Sequence, residues 1–478
     1  MEKLTPQNMY QQMDSSFDGF FSKRNFSIKN FNFYIKVLGE QKKLTEAEET
    51  LNKMQIFKIN PNVVSYNSII GACSKSGNVK KAEQYFEEAV NKFGPNKHLY
   101  NTLINAYARK HNGIEADKIL REMQRNNLEP DAPVITTIIN AHYKSKNLDR
   151  CWELFEQVQK GEFKKLTPDT NLLSLMVEIC AHTHDCEKAI KINKQLEDQP
   201  DFLHTTTTYN TIIKALASRK DYAEQALDYY EQMKISSVNM DMDTYIHTLK
   251  ACSNIGDVNT AYNVLQAMKE NKVEPNKYVY NQLMRVYAGA VEYSPMEEKT
   301  KDLYIQDAWK LLDQIKNLGL ININILNSFL TIFVKANRPE ELEGLVLPLY
   351  DNFKIPMDQY TYQHILEIYH NHRDLKTVYR VYKQMDKENI DKTWWTLNYV
   401  LDSAIRAEDV DIIVEILQKF QKIKREPKII YLKRLGEADY LPDPIFNELQ
   451  KFSKKFGQAN KKEKFNKNYK KSLKDSWL

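Results

Sequence analysis

The sequence repeats itself at an interval of about 35 residues. Residues 66–89 read YNSIIGACSKSGNVKKAEQYFEEA, and a similar block opens with YNTLINAYARKHNGIEAD at residue 100. Such blocks cover roughly residues 28–430 and open at these anchors: Phe31, Tyr66, Tyr100, Ile135, Leu173, Tyr209, Tyr245, Tyr280, Leu326, Tyr362 and Leu397. A chain with this period folds as a row of small units, each packed against its neighbours, rather than around one core.

Each block has the pattern of two helices. After Tyr66, the apolar residues Ile69, Ile70 and Cys73 mark one helical face, and Gly77 ends that helix before a second apolar stripe. An alanine recurs where the two helices must approach closely, at Ala47, Ala82, Ala116, Ala189, Ala226, Ala261 and Ala308. Proline followed by Asn or Asp closes many blocks, because proline ends one helix and the polar residue caps the next. The pattern predicts an all-α solenoid of about eleven helix-turn-helix repeats.

The spacing of the blocks also predicts the domain limits. Residues 1–27 form an N-terminal extension, residues 28–430 the solenoid, residues 431–450 a C-terminal capping helix and residues 451–478 a Lys-rich tail. The distance from Tyr280 to Leu326 is about ten residues longer than the period, which indicates an insertion near 289–304. We expect this insertion to loop out without interrupting the stack.

Charge is distributed unevenly along the 478 residues. The net charge is +5, but residues 451–478 hold ten Lys against one Glu and one Asp. The rest of the chain therefore carries a small net negative charge. If this body binds nucleic acid, it needs a local positive groove or contacts to the bases themselves.

Nothing in the sequence indicates an enzyme, a metal site or a membrane span. The segment from Cys180 to Cys186 contains His182 and His184, yet the repeat register places both cysteines at packing positions. The five cysteines form no CxxC pair, which favours a reducing compartment over a disulfide framework. There is no P-loop, GxSxG or HExxH motif and no run of 18 apolar residues. We therefore expect no catalytic activity, no cofactor and no membrane contact.

The blocks resemble pentatricopeptide repeats, a family of helical hairpins that bind single-stranded RNA. The resemblance rests on the YNxLI-like opening, the Gly-Asn or Gly-Asp break, the alanine and methionine of the second helix, and the closing Pro-Asp or Pro-Asn. It covers about 400 residues. It implies a right-handed α-solenoid of the P type without a catalytic domain. Tetratricopeptide repeats, the alternative, have a strict 34-residue period and an opening Trp-x-x-Leu-Gly that this chain lacks.

An asparagine follows the anchor in seven of the eleven blocks. This position lies about 110° from the centre of the apolar stripe, on the flank of the helix. Asparagine there costs a few tenths of a kcal/mol relative to alanine, and packing gives no reason for it. Its amide offers a donor and an acceptor, which suits the edge of a base.

The resemblance implies that each repeat reads one RNA base through this residue and the last residue of the repeat. The implied pairs are Asn32/Asn62, Asn67/Asn96, Asn101/Asp131, Thr136/Asp169, Asn210/Asp241, Asn281/Asn322 and Asn327/Asp358. The family pattern implies uracil for Asn/Asp, a pyrimidine for Asn/Asn and guanine for Thr/Asp. The expected partner is a pyrimidine-biased single-stranded RNA.

Two simpler explanations stand beside this one. The Asn or Asp that ends each repeat would be favoured as a helix cap in any helical array. The Asn after each anchor could be inherited from an ancestral repeat that read bases.

The resemblance implies a sequence-selective RNA-binding protein in organellar RNA processing, stability or translation. The family places it in a mitochondrion, with a plastid or the cytoplasm as alternatives. The alternative function is a scaffold subunit of a large ribonucleoprotein, such as an organellar ribosome, with ribosomal or other protein partners. The near-neutral body favours the scaffold, and the series of asparagines favours the reader.

Overall fold

The computed structural model describes residues 26–163, 166–293, 298–423 and 425–437. Within these ranges all regular secondary structure is helical, which confirms the predicted all-α class. The N-terminal extension up to residue 25, the Lys-rich tail and residues 438–450 of the predicted capping segment lie outside the described residues. No helix in the described part of the chain has the length and apolar character needed to cross a bilayer.

Each of the eleven anchors lies on the first helix of a hairpin. The first helices are α1 (Ile28–Glu40), α3 (Val63–Ser76), α5 (Lys97–Arg109), α7 (Ala132–Lys144), α9 (Thr170–Thr183), α11 (Thr206–Leu216), α13 (Met242–Ile255), α15 (Lys277–Tyr293), α17 (Ile323–Ala336), α20 (Gln359–Asn371) and α22 (Trp394–Arg406).

The second helices complete the hairpins. They are α2 (Leu44–Ile56), α4 (Val79–Phe93), α6 (Gly113–Arg125), α8 (Leu148–Gln159), α10 (Cys186–Glu197), α12 (Ala223–Ile235), α14 (Val258–Glu270), α16 (Glu298–Asn317), α18 (Pro339–Glu341) with α19 (Leu347–Asn352), α21 (Leu375–Lys387) and α23 (Val410–Lys422). A 3₁₀ turn, Lys220–Tyr222, precedes α12, and a last helix, α24 (Ile429–Glu437), follows the eleventh hairpin.

The chain forms two compact units that divide between Ala215 and Leu216, inside α11. In the first unit, α1, α3, α5, α7 and α9 pack against one another in chain order. In the second unit, α13, α15, α17, α20, α22 and α24 do the same. Within each unit the first helices therefore form one continuous layer, and the second helices pack behind it. Within each unit, each hairpin buries its apolar stripe against the next, as a helical repeat requires.

The alanine of the second helix marks the closest approach within and between hairpins. The predicted alanines are at most 2% exposed: Ala47, Ala82, Ala116, Ala189, Ala226, Ala261 and Ala308. In the block at Leu397 this position holds Ile413, which is also fully buried. The prediction of a small residue at a close helix contact is confirmed for these repeats, whereas the last three repeats hold the larger side chains of Leu342, Val378 and Ile413 at this position.

The described residues of the insertion near 289–304 are helical, where we expected a loop; residues 294–297 lie outside the described residues. The insertion lengthens both helices of its hairpin, so that α15 runs for 17 residues and α16 for 20. Gly256 and Gly289 make room for the longer helix, since a Cβ on Gly289 would lie 2.2 Å from the Ser253 carbonyl oxygen. Arg338 pairs with Asp302 at 2.6 Å and with Glu298 at 2.9 Å, which ties the start of α16 to the next hairpin.

The second helix of the ninth hairpin is irregular. Between α18 and α19, Leu342–Val346 forms a π-helical turn. Pro348 lies in the first turn of α19 and has no N–H to donate, so the regular ladder cannot continue through it. Leu342 and Val346 are nevertheless fully buried, so the apolar face of this helix is kept.

Candidate RNA interface

The two predicted reading positions lie at matching places in each repeat. The residue after the anchor lies in the first helix, and its partner begins the first helix of the next repeat. The residue after the anchor is half-buried in nine of the eleven first helices. Asn32 and Asn398 depart from the expected flank position, because they are only 8% and 1% exposed. Both ends of the Asn398 amide form hydrogen bonds within the protein: Nδ2 donates to the Trp394 carbonyl, and Oδ1 accepts from the Lys428 N–H.

Two of the predicted pairs are joined directly by a hydrogen bond. Asn32 Nδ2 donates to Asn62 Oδ1 at 3.5 Å, and Asn327 Nδ2 donates to Asp358 Oδ1 at 3.1 Å. Thr393 Oγ1 likewise donates to Gln363 Oε1 at 3.2 Å, in a repeat to which the family pattern assigns no base. The fold therefore brings these residues together although about 30 residues separate them in sequence.

Four other pairs occupy the same helix positions without a hydrogen bond between their two members. They are Asn67/Asn96, Asn101/Asp131, Thr136/Asp169 and Asn281/Asn322. The remaining pair divides between the two units, with Asn210 in α11 and Asp241 at the start of α13.

Each predicted residue at the end of a repeat caps the following helix. The caps are Asn62, Asn96, Asp131, Asp169, Asp241, Asn322 and Asp358. Their Oδ1 atoms accept the backbone N–H bonds of the first turn. The capping explanation is thus confirmed for every one of them. The cap bonds leave the other atom of each group, Nδ2 of asparagine or Oδ2 of aspartate, outside the cap.

Further bonds tie the residue after the anchor to the next first helix. Asn67 Oδ1 accepts from the Thr102 hydroxyl at 2.6 Å, and Asn281 Oδ1 accepts from the Ser328 hydroxyl at 2.9 Å. In both cases the carbonyl oxygen of the amide is used and the NH₂ group is not. These bonds fix which end of the amide faces outward.

A third position was missed in the sequence. Four large apolar residues lie two residues before an anchor and remain exposed: Val64 at 56%, Tyr278 at 56%, Tyr360 at 55% and Trp395 at 45%. They lie in the first turn of their helices, close to the caps. The signal was available in the sequence, because packing does not call for an aromatic residue at that register. Exposed apolar and aromatic faces suit the stacking of unpaired bases.

Charge is segregated between the two sets of helices. The first helices from α1 to α22 carry twelve Lys and Arg against six Asp and Glu. The second helices carry twenty-three basic against twenty-eight acidic residues. The first helices therefore carry an excess of basic residues, which is reduced by the aspartate caps that precede four of them, Asp131, Asp169, Asp241 and Asp358. An excess of basic residues favours attraction to a polyanion.

The cysteines are packing residues. All five are buried, and burial raises the pKa of Cys73, Cys180 and Cys252 to about 12. Among the described residues, no group of three or more His, Cys, Asp or Glu side chains could hold a metal ion. His182 instead lies 3.1 Å from the Lys214 ammonium, and burial together with that charge lowers the pKa of His182.

Comparison with known families identifies the repeats. A model described as "Pentatricopeptide repeat domain" matches residues 24–76, 118–180, 229–290 and 350–406. A "PPR repeat family" model matches residues 95–136, and a "PPR repeat" model matches residues 64–92 and 207–238. Together the matches cover more than half of the chain. All three describe repeats, and none of them describes a catalytic domain.

Similar proteins share low identity with this chain. It is 23% identical over 255 residues to a pentatricopeptide repeat-containing protein of Arabidopsis thaliana, covering 53% of this chain and 50% of that protein. It is 24% identical over 220 residues to a mitochondrial 15S rRNA processing factor of Schizosaccharomyces japonicus, covering 45% of this chain and 32% of that protein. It is 24% identical over 271 residues to a small ribosomal subunit protein of Arabidopsis thaliana, covering 55% of each.

The matched lengths and one solved structure complete the comparison. The chain spans about half, or less, of the length of these curated relatives. A crystal structure of a pentatricopeptide repeat protein from maize superimposes with a TM-score of 0.40 at 18% identity, over 95% of this chain and 70% of that one.

Proposed function

The chain belongs to the pentatricopeptide repeat family, and on this premise we propose that it binds single-stranded RNA sequence-selectively, one base per repeat. Its role would be non-enzymatic, in the processing, stability or translation of organellar transcripts. A mitochondrial location is favoured by the similarity to a mitochondrial rRNA processing factor, with a plastid as the alternative.

The observation that carries the proposal is the geometry of Asn327 and Asp358. Asn327 Oδ1 accepts from the hydroxyls of Tyr350 at 2.8 Å and Thr361 at 2.7 Å, while its NH₂ group donates to Asp358 Oδ1. One N–H of that NH₂ group then remains to donate, and Asp358 Oδ2 lies outside these bonds to accept. Uracil presents a ring N–H beside carbonyl oxygens, which matches one acceptor next to one donor. The pair therefore suits uracil, as the family pattern implies.

Two other features support an interface on the first helices. The exposed rings of Tyr278, Tyr360 and Trp395 lie in the first turns of α15, α20 and α22, where they can stack on bases. The excess of Lys and Arg on the first helices supplies attraction to phosphate without choosing a sequence. Base edges, base faces and phosphates thus each have a matching group on the same set of helices.

The experiment that tests the proposal is selection of RNA from a random pool by the full chain at moderate salt. We expect enrichment of one pyrimidine-biased motif, close to Y-Y-U-G-n-U-n-Y-U, in the order of the repeats. If no motif is enriched and binding disappears at high salt, the result would contradict sequence selectivity. It would leave only electrostatic attraction, to which the Lys-rich tail contributes.

The second candidate is a scaffold within a ribonucleoprotein. It is favoured by the similarity to a small ribosomal subunit protein and by the net acidic second helices, which suit protein contacts better than RNA. Sedimentation of organellar extracts separates the two functions. A scaffold stays with ribosomal subunits after high-salt washing, whereas a reader of individual transcripts is released by ribonuclease and sediments apart from them.

A further inference from the structure

The second unit contains a cleft of about 400 Å³ on the layer of first helices. Its walls come from four successive first helices, α13, α15, α17 and α20. Two predicted reading residues, Asn281 and Asn327, lie on it, together with Arg285, Lys335 and the exposed ring of Tyr360. The cleft is therefore open on the face where the proposed function places RNA.

Arg285 is the cation of this cleft that is left without a counter-charge. It has no ion pair and no hydrogen bond among the described residues. The other cation, Lys335, is paired with Glu292 at 3.3 Å, so its charge is already balanced. Neighbouring protein atoms lower the pKa of Arg285, but a guanidinium keeps its charge at neutral pH. Arg285 is exposed on the cleft, so its unpaired charge can attract an anionic ligand from solvent.

The position of Arg285 indicates which anion fits. It lies four residues after Asn281 on α15, so the two side chains project from the same face one helical turn apart. Asn327 lies on the next first helix, α17, and lines the same cleft. Arg285 thus lies beside two consecutive reading positions rather than under one of them.

We propose that this cleft binds the phosphodiester that joins the two nucleotides read by Asn281 and Asn327, and that Arg285 is its cation. This inference rests on the proposed function, because it takes the ligand to be RNA. The planar guanidinium offers paired N–H donors that match two phosphate oxygens, which a lysine cannot reproduce. At the same register position the neighbouring first helices carry Lys250 and Thr331, so the site is particular to one repeat.

The lengthened helix gives the insertion a part in this site. Glu292 lines the cleft and lies beyond the point that a 14-residue first helix such as α13 would reach. Glu292 forms an ion pair with Lys335, so Arg285 is the cation of the cleft that remains to bind the phosphate. The lengthened end of α15 therefore contributes to the wall of the cleft.

The test compares the full chain with Arg285→Gln, Arg285→Lys and Lys316→Gln. Lys316 is an exposed residue of the second helix α16 and provides the same change of charge away from the cleft. Affinity is measured by fluorescence anisotropy with a labelled RNA carrying the selected motif, and with a copy changed at the base assigned to Asn327. Each titration is repeated over a range of potassium chloride concentrations. Circular dichroism confirms that each variant is folded.

Arg285→Gln is expected to weaken both RNAs equally, by about tenfold, as loss of one charge-assisted contact predicts. The plot of log affinity against log salt should become shallower by about 0.7, the value for one phosphate of a single strand. Arg285→Lys should retain the slope and lose part of the affinity, and Lys316→Gln should match the wild type.

An unchanged affinity and slope in Arg285→Gln would overturn the inference while sequence-selective binding by the wild type still supports the proposed function. A loss confined to one of the two RNAs would also overturn it, because it would indicate a contact to a base. Failure of the wild type to bind either RNA would contradict the proposed function itself, and the inference would fall with it.

Discussion

The side chains of Asn327 and Asp358 meet across two helices, with Asn327 Nδ2 3.1 Å from Asp358 Oδ1. Asp358 also caps α20, accepting from the N–H groups of Tyr360 at 3.0 Å and Thr361 at 2.9 Å. The Asp358 carboxylate therefore caps α20 and also orients the side-chain amide of Asn327 in the preceding repeat. Base reading through Asp358 Oδ2 would be compatible with capping, because the cap bonds use Oδ1.

Asp358→Ala should lower both stability and RNA selectivity. Losing a cap costs about 1 kcal/mol of the free energy of unfolding, and the partner of Asn327 is lost with it. Asp374→Ala is the matched control, because Asp374 caps the second helix α21 through the Thr377 N–H at 3.1 Å and lies outside the reading pairs. Urea unfolding should show similar losses for both variants. Only Asp358→Ala should lose the preference for uracil at its position, and equal RNA binding by the two would contradict the assignment.

Asp358→Asn should separate the two roles. Asparagine caps a helix about as well as aspartate, so the free energy of unfolding should change by only a few tenths of a kcal/mol. The uncharged amide replaces an acceptor with a donor, so the base preference should change from uracil towards a mixed pyrimidine. Competition between RNAs that differ at this one base measures the change.

Gly256→Ala should destabilise the second unit. Gly256 has a φ of +71°, and a Cβ on it would lie 2.7 Å from the Cα of Ala290. A left-handed conformation and a backbone collision together should cost about 2 kcal/mol or more. Gly344→Ala is the control, because no atom lies within 4 Å of its added Cβ. Thermal unfolding should show a lower midpoint for the first variant and an equal or higher midpoint for the second.

The cysteine thiols should be unreactive in the folded protein. Burial raises the pKa of Cys151 to about 11 and that of Cys73, Cys180 and Cys252 to about 12, so little thiolate exists at pH 8. Ellman's reagent should modify these thiols only after guanidinium is added. Chelators should leave the unfolding midpoint unchanged. Fast reaction in the native state, with protection by zinc, would contradict the packing role.

Stability should fall as the pH drops below about 6.5, and His370 should account for part of the loss. Burial lowers the pKa of His370, against the opposing effect of Asp402, while Arg406 and Lys428 lower it further and Glu367 raises it. The unfolded chain therefore binds more protons in the window between the folded pKa and about 6.5. The stability contributed by neutral His370 is complete above that window and is lost as the pH falls through the folded pKa.

His370→Gln should make the dependence of the free energy of unfolding on pH shallower between pH 5 and 6.5. The control is His98→Gln, since His98 is exposed on α5. Urea titrations at several pH values compare the slopes. Identical slopes for wild type and His370→Gln would show that other groups cause the loss.

The sequence predicts the repeating elements well, because each repeat carries its own signals. The Asn or Asp after a proline predicts caps such as Asn62 and Asp131, and the buried alanines predict the close helix contacts. Each of these signals lies within a few residues of the feature that it predicts, so a single sequence is sufficient to recognise it.

What the sequence did not predict depends on contacts between repeats. The length of the insertion near 289–304 suggested a loop. Its described residues instead extend α15 and α16. Gly256 and Gly289 allow α15 to pass close to α13. Neighbouring helices bury Asn32 and Asn398, although the helical period alone places both residues on the flank of the helix. The excess of basic residues within the first helices becomes visible only when charges are counted helix by helix instead of over the whole body.

The central claim is that the residue after each anchor chooses a base, and Thr136→Asn tests it most directly. Thr136 pairs with Asp169, for which the family pattern implies guanine, and asparagine in its place implies uracil. Thr137→Asn is the control, because it makes the same substitution one residue out of register on α7. RNA selection with the full chain should replace guanine by uracil at a single position for Thr136→Asn and leave the motif unchanged for Thr137→Asn. Identical motifs from the wild type and both variants would contradict the account.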